Sequence, residues 1–149
     1  MSSALKQTIT EAMKAAMKAG DKPRLGTIRL AAAALKQVEV DERKELTDAD
    51  VLSILDKMVK QRRDSLKQYR DAEREDLAAQ EAYEIEVLQD FLPQPLSEAE
   101  IKALIETALA ETGASGMVDM GKVMGRIKPQ AQGRADLGKI SGLVRARLS

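Results

Sequence analysis

The side chains of this sequence that are placed to do chemistry gather in one stretch, Gly116 to Ser149, GMVDMGKVMGRIKPQAQGRADLGKISGLVRARLS. Lys122, Arg126, Lys128, Arg134, Lys139, Arg145 and Arg147 stand there against Asp119 and Asp136 alone, a net charge of +5. The whole chain balances 24 basic against 24 acidic side chains, so residues 1 to 115 carry −5. Positive charge collected at one end of a neutral chain marks a candidate anion-binding surface. Short helices that solvate themselves with Lys and Arg would give the same count.

Much chemistry is absent. With no cysteine there is no disulfide, thiolate nucleophile or zinc-thiolate site. With no histidine the chain lacks the commonest general base near neutral pH and the commonest metal ligand. Carboxylates, Lys, Tyr and Ser remain, and none is spaced as a metal cage or a Ser-Lys dyad. We expect no catalytic residue, no metal and no cofactor. No run of about 18 apolar residues and no apolar leader is present, which leads to the expectation of a cytoplasmic protein with no membrane partner.

These residues must be positioned by helices. The apolar residues are mostly Ala, Leu, Ile, Val and Met, with Tyr69, Tyr83 and Phe91 the only aromatics, a composition that favours an all-α fold. The first helix reads from Ser3 to Ala19, stopped by Gly20. A second, capped by Asp21 with Pro23 in its first turn, runs to about Lys44 on a stripe of Leu25, Ile28, Ala32, Leu35 and Val38. Its alanine run, Ala31 to Ala34, reads as a waist for close core packing.

Thr47 caps a third helix whose basic residues, among them Lys57, Arg62 and Arg70, have Asp56, Asp64 and Asp71 at pairing distance along the helix. The acidic fourth helix spans about Arg74 to Phe91. Pro93-Gln94-Pro95 forbids continuation, and the boundary between two helical units is placed there, residues 1–92 and 93–149. Ser97 and Glu100 then form a capping box for a fifth helix that stops at Gly113.

The sixth helix carries Met117, Met120, Val123, Met124 and Ile127 on one face and is expected to end before Pro129. Gly121 and Gly125 share another face, and in water each costs up to about 1 kcal/mol relative to Ala, so something should require that surface bare. Close packing of another helix is the favoured reason and approach of a phosphate backbone the alternative. The methionines read as core rather than as a binding groove. Gly133-Arg134-Ala135-Asp136 is a turn that opens the seventh helix, and Arg134, with Lys128, would flank free amides at a corner able to hold a phosphate.

Four motifs in order, MKAGDKPRLGTIRL, FLPQPLSEAEI, MGKVMGRIKPQAQGRAD and LVRARL, give the chain a resemblance to the YqeY family over essentially all 149 residues. It is similar to the tail domain of the B subunit of the tRNA-dependent amidotransferase and to domains appended to some glutaminyl-tRNA synthetases. The resemblance implies a four-helix N-terminal unit, a three-helix C-terminal unit and an association with tRNA. It also carries a family label, carbon-nitrogen ligase with glutamine as amido-N-donor.

The expected function is a non-catalytic tRNA-binding accessory protein working beside a synthetase or amidotransferase, with no DNA partner. Lys122, Arg126, Lys128, Arg134, Lys139 and Arg145 would contact phosphates, while Gly121, Gly125 and Gly133 let the backbone approach. The alternative is a protein-interaction adaptor, docking through the acidic helix at 71–90 or the methionines of the sixth helix.

Overall fold

The computed structural model describes residues 3–149, and the all-α expectation holds. Among the described residues there are seven α-helices, one 3-10 turn and no strand. Contacts divide the chain into two compact units, Met1–Pro93 and Gln94–Ser149.

The first unit holds α1 (Ala4–Ala19), α2 (Lys22–Glu42), α3 (Asp48–Asp71) and α4 (Glu75–Gln89). Each begins or ends where its local chemistry requires. Ser3 Oγ accepts from the Lys6 amide, and Gly20, at φ 69°, closes α1 in the left-handed region that suits glycine. Asp21 accepts from the Arg24 amide at the start of α2. Thr47 and Asp50 make a reciprocal box at the start of α3, with the amides of Asp50 and Thr47 donating at 3.2 and 3.0 Å.

Ile9, Ile28, Ala31, Leu35, Leu55, Val59 and Leu88 form the centre of this unit's core. Asp48 ties the ends of two helices together, accepting from the Ser3 hydroxyl and, at 3.1 Å, from the Leu5 amide. Arg62 of α3 turns away from the surface to lie 3.5 Å from Glu84 of α4, and its Nη1 donates to the Met58 carbonyl. The basic face read along α3 is therefore broken at Arg62.

The second unit holds α5 (Glu98–Thr112), a 3-10 turn (Met117–Asp119), α6 (Met120–Ala131) and α7 (Leu137–Leu148). Ser97 and Glu100 form the expected box, and Gly113, at φ 63°, ends α5. Val123, Ile127, Ala131, Ile140 and Val144 are fully buried against Ile101, Ile105 and Ala108.

Helix α6 does not stop before Pro129, as the sequence led us to expect, but continues two residues past it. Proline supplies no N–H to the Gly125 carbonyl. The turn survives because Ile127 and Ala131 on either side of it are completely buried, and because the Gln132 amide closes it on the Lys128 carbonyl at 3.0 Å.

Several capping carboxylates have pKa values lowered by the groups they accept from: the Ser3 hydroxyl for Asp48, the Thr47 amide for Asp50 and the Ser97 amide for Glu100. A folded-state pKa below the unfolded value gives stability that is complete above the unfolded carboxylate range, about 4, and is lost as pH falls through the folded value. Thermal unfolding followed from pH 7 to pH 3 should therefore show a midpoint that drops below about pH 4. Glu100→Gln should make that drop shallower, and an equally steep drop in this variant would contradict the assignment.

Candidate nucleic-acid interface

The geometry of α6 follows from steps of four. Val123, Ile127 and Ala131 point into the core, so Gly121, Gly125 and Pro129, displaced by two residues, lie on the opposite side. All three are exposed, and a Cβ built at Gly121 or Gly125 meets nothing within 4 Å. No other helix of the second unit lies on this face, so the favoured reading of the glycines as a helix-packing surface is not met within that unit. They leave a strip of peptide backbone open to solvent.

At 100° per residue, Lys122 and Arg126 flank that strip on one side and Lys128 on the other. All three side chains are exposed. Arg126 lies 3.4 Å from Glu111, with both groups more than half exposed, a pair worth little in water. Lys122 contributes to the lowered pKa of Asp119, whose largest cause is the Ser115 amide, and Lys128 forms no ion pair with a described residue. The methionine stripe is split: Met120 and Met124 pack on the core, whereas Met117 and the neighbouring Val118 are exposed.

The corner between α6 and α7 is arranged differently from the expectation. Gly133 is buried, at φ 78°, so it serves the turn and presents no backbone to a ligand. Arg134 is half-buried and clasps the chain that enters the unit. Its carbonyl accepts from the Leu96 amide at 2.8 Å, and its Nε donates to the Gln94 carbonyl at 2.9 Å. Its guanidinium also reaches Glu100 at 4.0 Å. Asp136 takes the Gly138 amide at 2.9 Å, so this amide and the Arg134 Nε are satisfied internally.

Helix α7 buries Ile140, Val144 and Leu148 and leaves Lys139 and Arg145 exposed without ion pairs to described residues. Between them runs a second bare strip that the sequence reading missed, Gly138 and Gly142, again four apart. Gly142 is open, while Gly138 makes room for the Asp136 carboxylate, 3.2 Å from where a Cβ would sit. The repeated four-residue glycine spacing was the available signal. Arg147 is engaged by both oxygens of Glu106 and is not a free cation.

Lys139 also borders a groove of about 490 Å³ between α5 and α7, floored by Ile101, Ile105 and Leu143. Among the described residues no cluster of carboxylates is placed to hold a metal, and no helix is long and apolar enough to cross a membrane.

The family model for Yqey-like protein matches residues 6–148. A Pyrenophora tritici-repentis protein named "Altered inheritance of mitochondria protein 41, mitochondrial" is 34% identical over 123 residues, covering 81% of this chain and 67% of the relative. An uncharacterized protein of Schizosaccharomyces pombe is 32% identical over 93 residues, 62% of this chain and 76% of the relative. A Lachancea thermotolerans protein with the same name as the first is 36% identical over 102 residues, 66% of this chain and 54% of that protein. The names of the Pyrenophora and Lachancea relatives go against the cytoplasmic expectation, because both proteins are called mitochondrial. That expectation rested on the lack of an apolar leader, which mitochondrial addressing does not use, since its segments are amphipathic and arginine-rich.

If the α6 strip is bare for a reason other than stability, filling it should strengthen the fold. Gly121→Ala and Gly125→Ala should each raise unfolding stability by about 0.5–1 kcal/mol, whereas Gly133→Ala should lower it by about 1–2 kcal/mol because of its left-handed backbone. Arg134→Ala should also lower stability, by about 1 kcal/mol, through loss of the clasp on Gln94. Denaturant titration of the four variants measures all of these.

Proposed function

The chain belongs to the YqeY family, and we propose that it is a non-catalytic RNA-binding accessory protein, with tRNA as the RNA and the chemistry supplied by a separate synthetase or amidotransferase. The observation that carries this reading is the outer face of α6. There an open strip of backbone at Gly121 and Gly125 runs between Lys122 and Arg126 on one side and Lys128 on the other.

A bare helix surface between cations lets a sugar-phosphate chain approach more closely than ordinary side chains would, and each cation can then neutralise one phosphate. Lys139 and Arg145 add two cations on α7 that form no ion pair with a described residue. Arg134 and Gly133 leave the contact set, since both are committed to the turn. All three aromatic side chains, Tyr69, Tyr83 and Phe91, precede Gln94. Contact through the second unit would therefore read backbone shape rather than stack on unpaired bases.

Amide formation from glutamine would need an activated nucleophile or an acyl-phosphate site. The carboxyl whose pKa is raised, Glu81, sits in the first unit, where burial and then Glu84 push it up while Arg62 opposes them. That arrangement is explained by packing of α3 against α4, so the reading assigns this chain the holding of RNA.

The test is a titration of labelled tRNA with the intact chain and with a Lys122→Ala, Arg126→Ala, Lys128→Ala variant at several salt concentrations. Three neutralised phosphates give a log-log salt slope of about −2 to −3, most of which should vanish in the variant. The Gly121→Ala, Gly125→Ala double variant should bind more weakly although it is more stable. Absence of binding at low salt, or binding unchanged in the triple variant, would remove RNA from this site.

A further inference from the structure

Helix α2 is apolar on two sides. Ile28, Ala31 and Leu35 belong to the core of the first unit. On the outward side Gly26, Leu30, Ala33, Gln37 and Val40 follow one another at alternating steps of four and three, the register of a helix-pairing seam, in which Leu30, Ala33 and Val40 are apolar and Gln37 is polar, its amide donating to the Asp41 carboxylate at 2.9 Å. All five are exposed: Leu30 keeps 47% of its surface and Val40 61%, and a Cβ at Gly26 would meet nothing within 4 Å. A scattered apolar side chain at the surface needs no explanation, but a register of them along a 21-residue helix does. The alanine run read as core packing is thus divided, with Ala31 buried and Ala33 facing out.

The two edges of the seam differ. Along one, Arg29 and Lys36 stand seven residues apart, both exposed and neither in an ion pair with a described residue, and Arg43 follows as the C-cap just past the helix, at φ 52°. Along the other, the surface descends into the core at Thr27 and Ala34. Small residues at Gly26 and Ala33 allow two helix axes to come close, and the cationic row selects the sign of the neighbour.

We propose that the outward face of α2 docks an amphipathic α-helix of a partner protein that carries an apolar seam bordered by an acidic row. A second copy of this chain is a poor occupant. Antiparallel pairing of two α2 helices would set the cationic rows against each other, and parallel pairing would give Arg29 only Ala34, leaving Lys36 alone with a carboxylate, Asp41. A nucleic acid would use the cations but would hold phosphates beside Leu30, Ala33 and Val40, which gain nothing from them. The proposal is independent of the RNA reading, because it involves none of the cations on α6 or α7.

The probe is a synthetic helix as long as α2, with leucine at the seam positions and glutamate beside them, compared with a lysine-bordered counterpart. Glutamate-bordered helices repel their own kind at neutral pH, so binding to the intact chain can be read by fluorescence anisotropy. The glutamate peptide should bind at least about tenfold more tightly than the lysine peptide. Leu30→Gln with Val40→Gln should lose about tenfold or more, and Arg29→Glu with Lys36→Glu should reverse the preference. These exposed substitutions leave the core intact, which circular dichroism of each variant checks.

Equal binding of the two peptides, undiminished binding in the apolar double variant or an unreversed preference would overturn the proposal. Self-association of the chain that disappears with Leu30→Gln and Val40→Gln would give the face to a second copy. RNA binding lost on charge reversal but indifferent to the apolar variant would give it to nucleic acid.

Discussion

Burial of Ile127 and Ala131 keeps α6 helical through Pro129, and the basic surface depends on that continuity. Had the helix ended at Lys128, the steps of four that place Val123 inside and Gly121 outside would have had one anchor fewer. The proline's missing donor is tolerated because it falls in the last turn, where two fully buried side chains hold the backbone in place. The outer strip is thereby continuous from Gly121 to Pro129, with cations on both flanks.

Cations near one another in sequence play unlike parts. Arg134 and Arg62 are drawn inward, the first onto the Gln94 carbonyl and the second toward Glu84. Arg147 is taken up by Glu106. Among the described residues Lys128, Lys139 and Arg145 have no ion-pair partner, Lys122 has only the electrostatic pull of Asp119, and Arg126 has a loose, exposed partner in Glu111. Planar guanidinium groups suit the structural positions because they donate in several directions to carbonyls and carboxylates at once. Ammonium groups, compact and strongly hydrated, dominate the free set and suit non-specific contact with phosphate.

Two features do not serve the stability of an isolated chain. Gly121 and Gly125 on the outside of α6 and Gly142 on the outside of α7 give up helix propensity and bury nothing. Leu30 and Val40 on the outside of α2 hold apolar area in water. Capping boxes, left-handed glycines and core stripes elsewhere agree with one another, and against that consistency such departures mark surfaces held for something outside the chain. They lie in different units and differ in chemistry, one bare and cationic, the other apolar with a single cationic edge.

How much was legible follows from what is local. The helices, their caps at Asp21, Thr47, Ser97 and Asp136, and the stops at Gly20 and Gly113 were readable because each rests on contacts within about four residues. The family was readable from motifs in order. Tertiary structure alone decided that Pro129 sits inside a helix, that Gly133 is buried, that Arg134 turns onto Gln94, and that no other helix of the second unit covers the glycines of α6. Each of those depends on which side of a helix the core occupies or on a partner tens of residues away. Periodicity names the faces of a helix, but only packing decides which face is covered, and that decides which charges are left free.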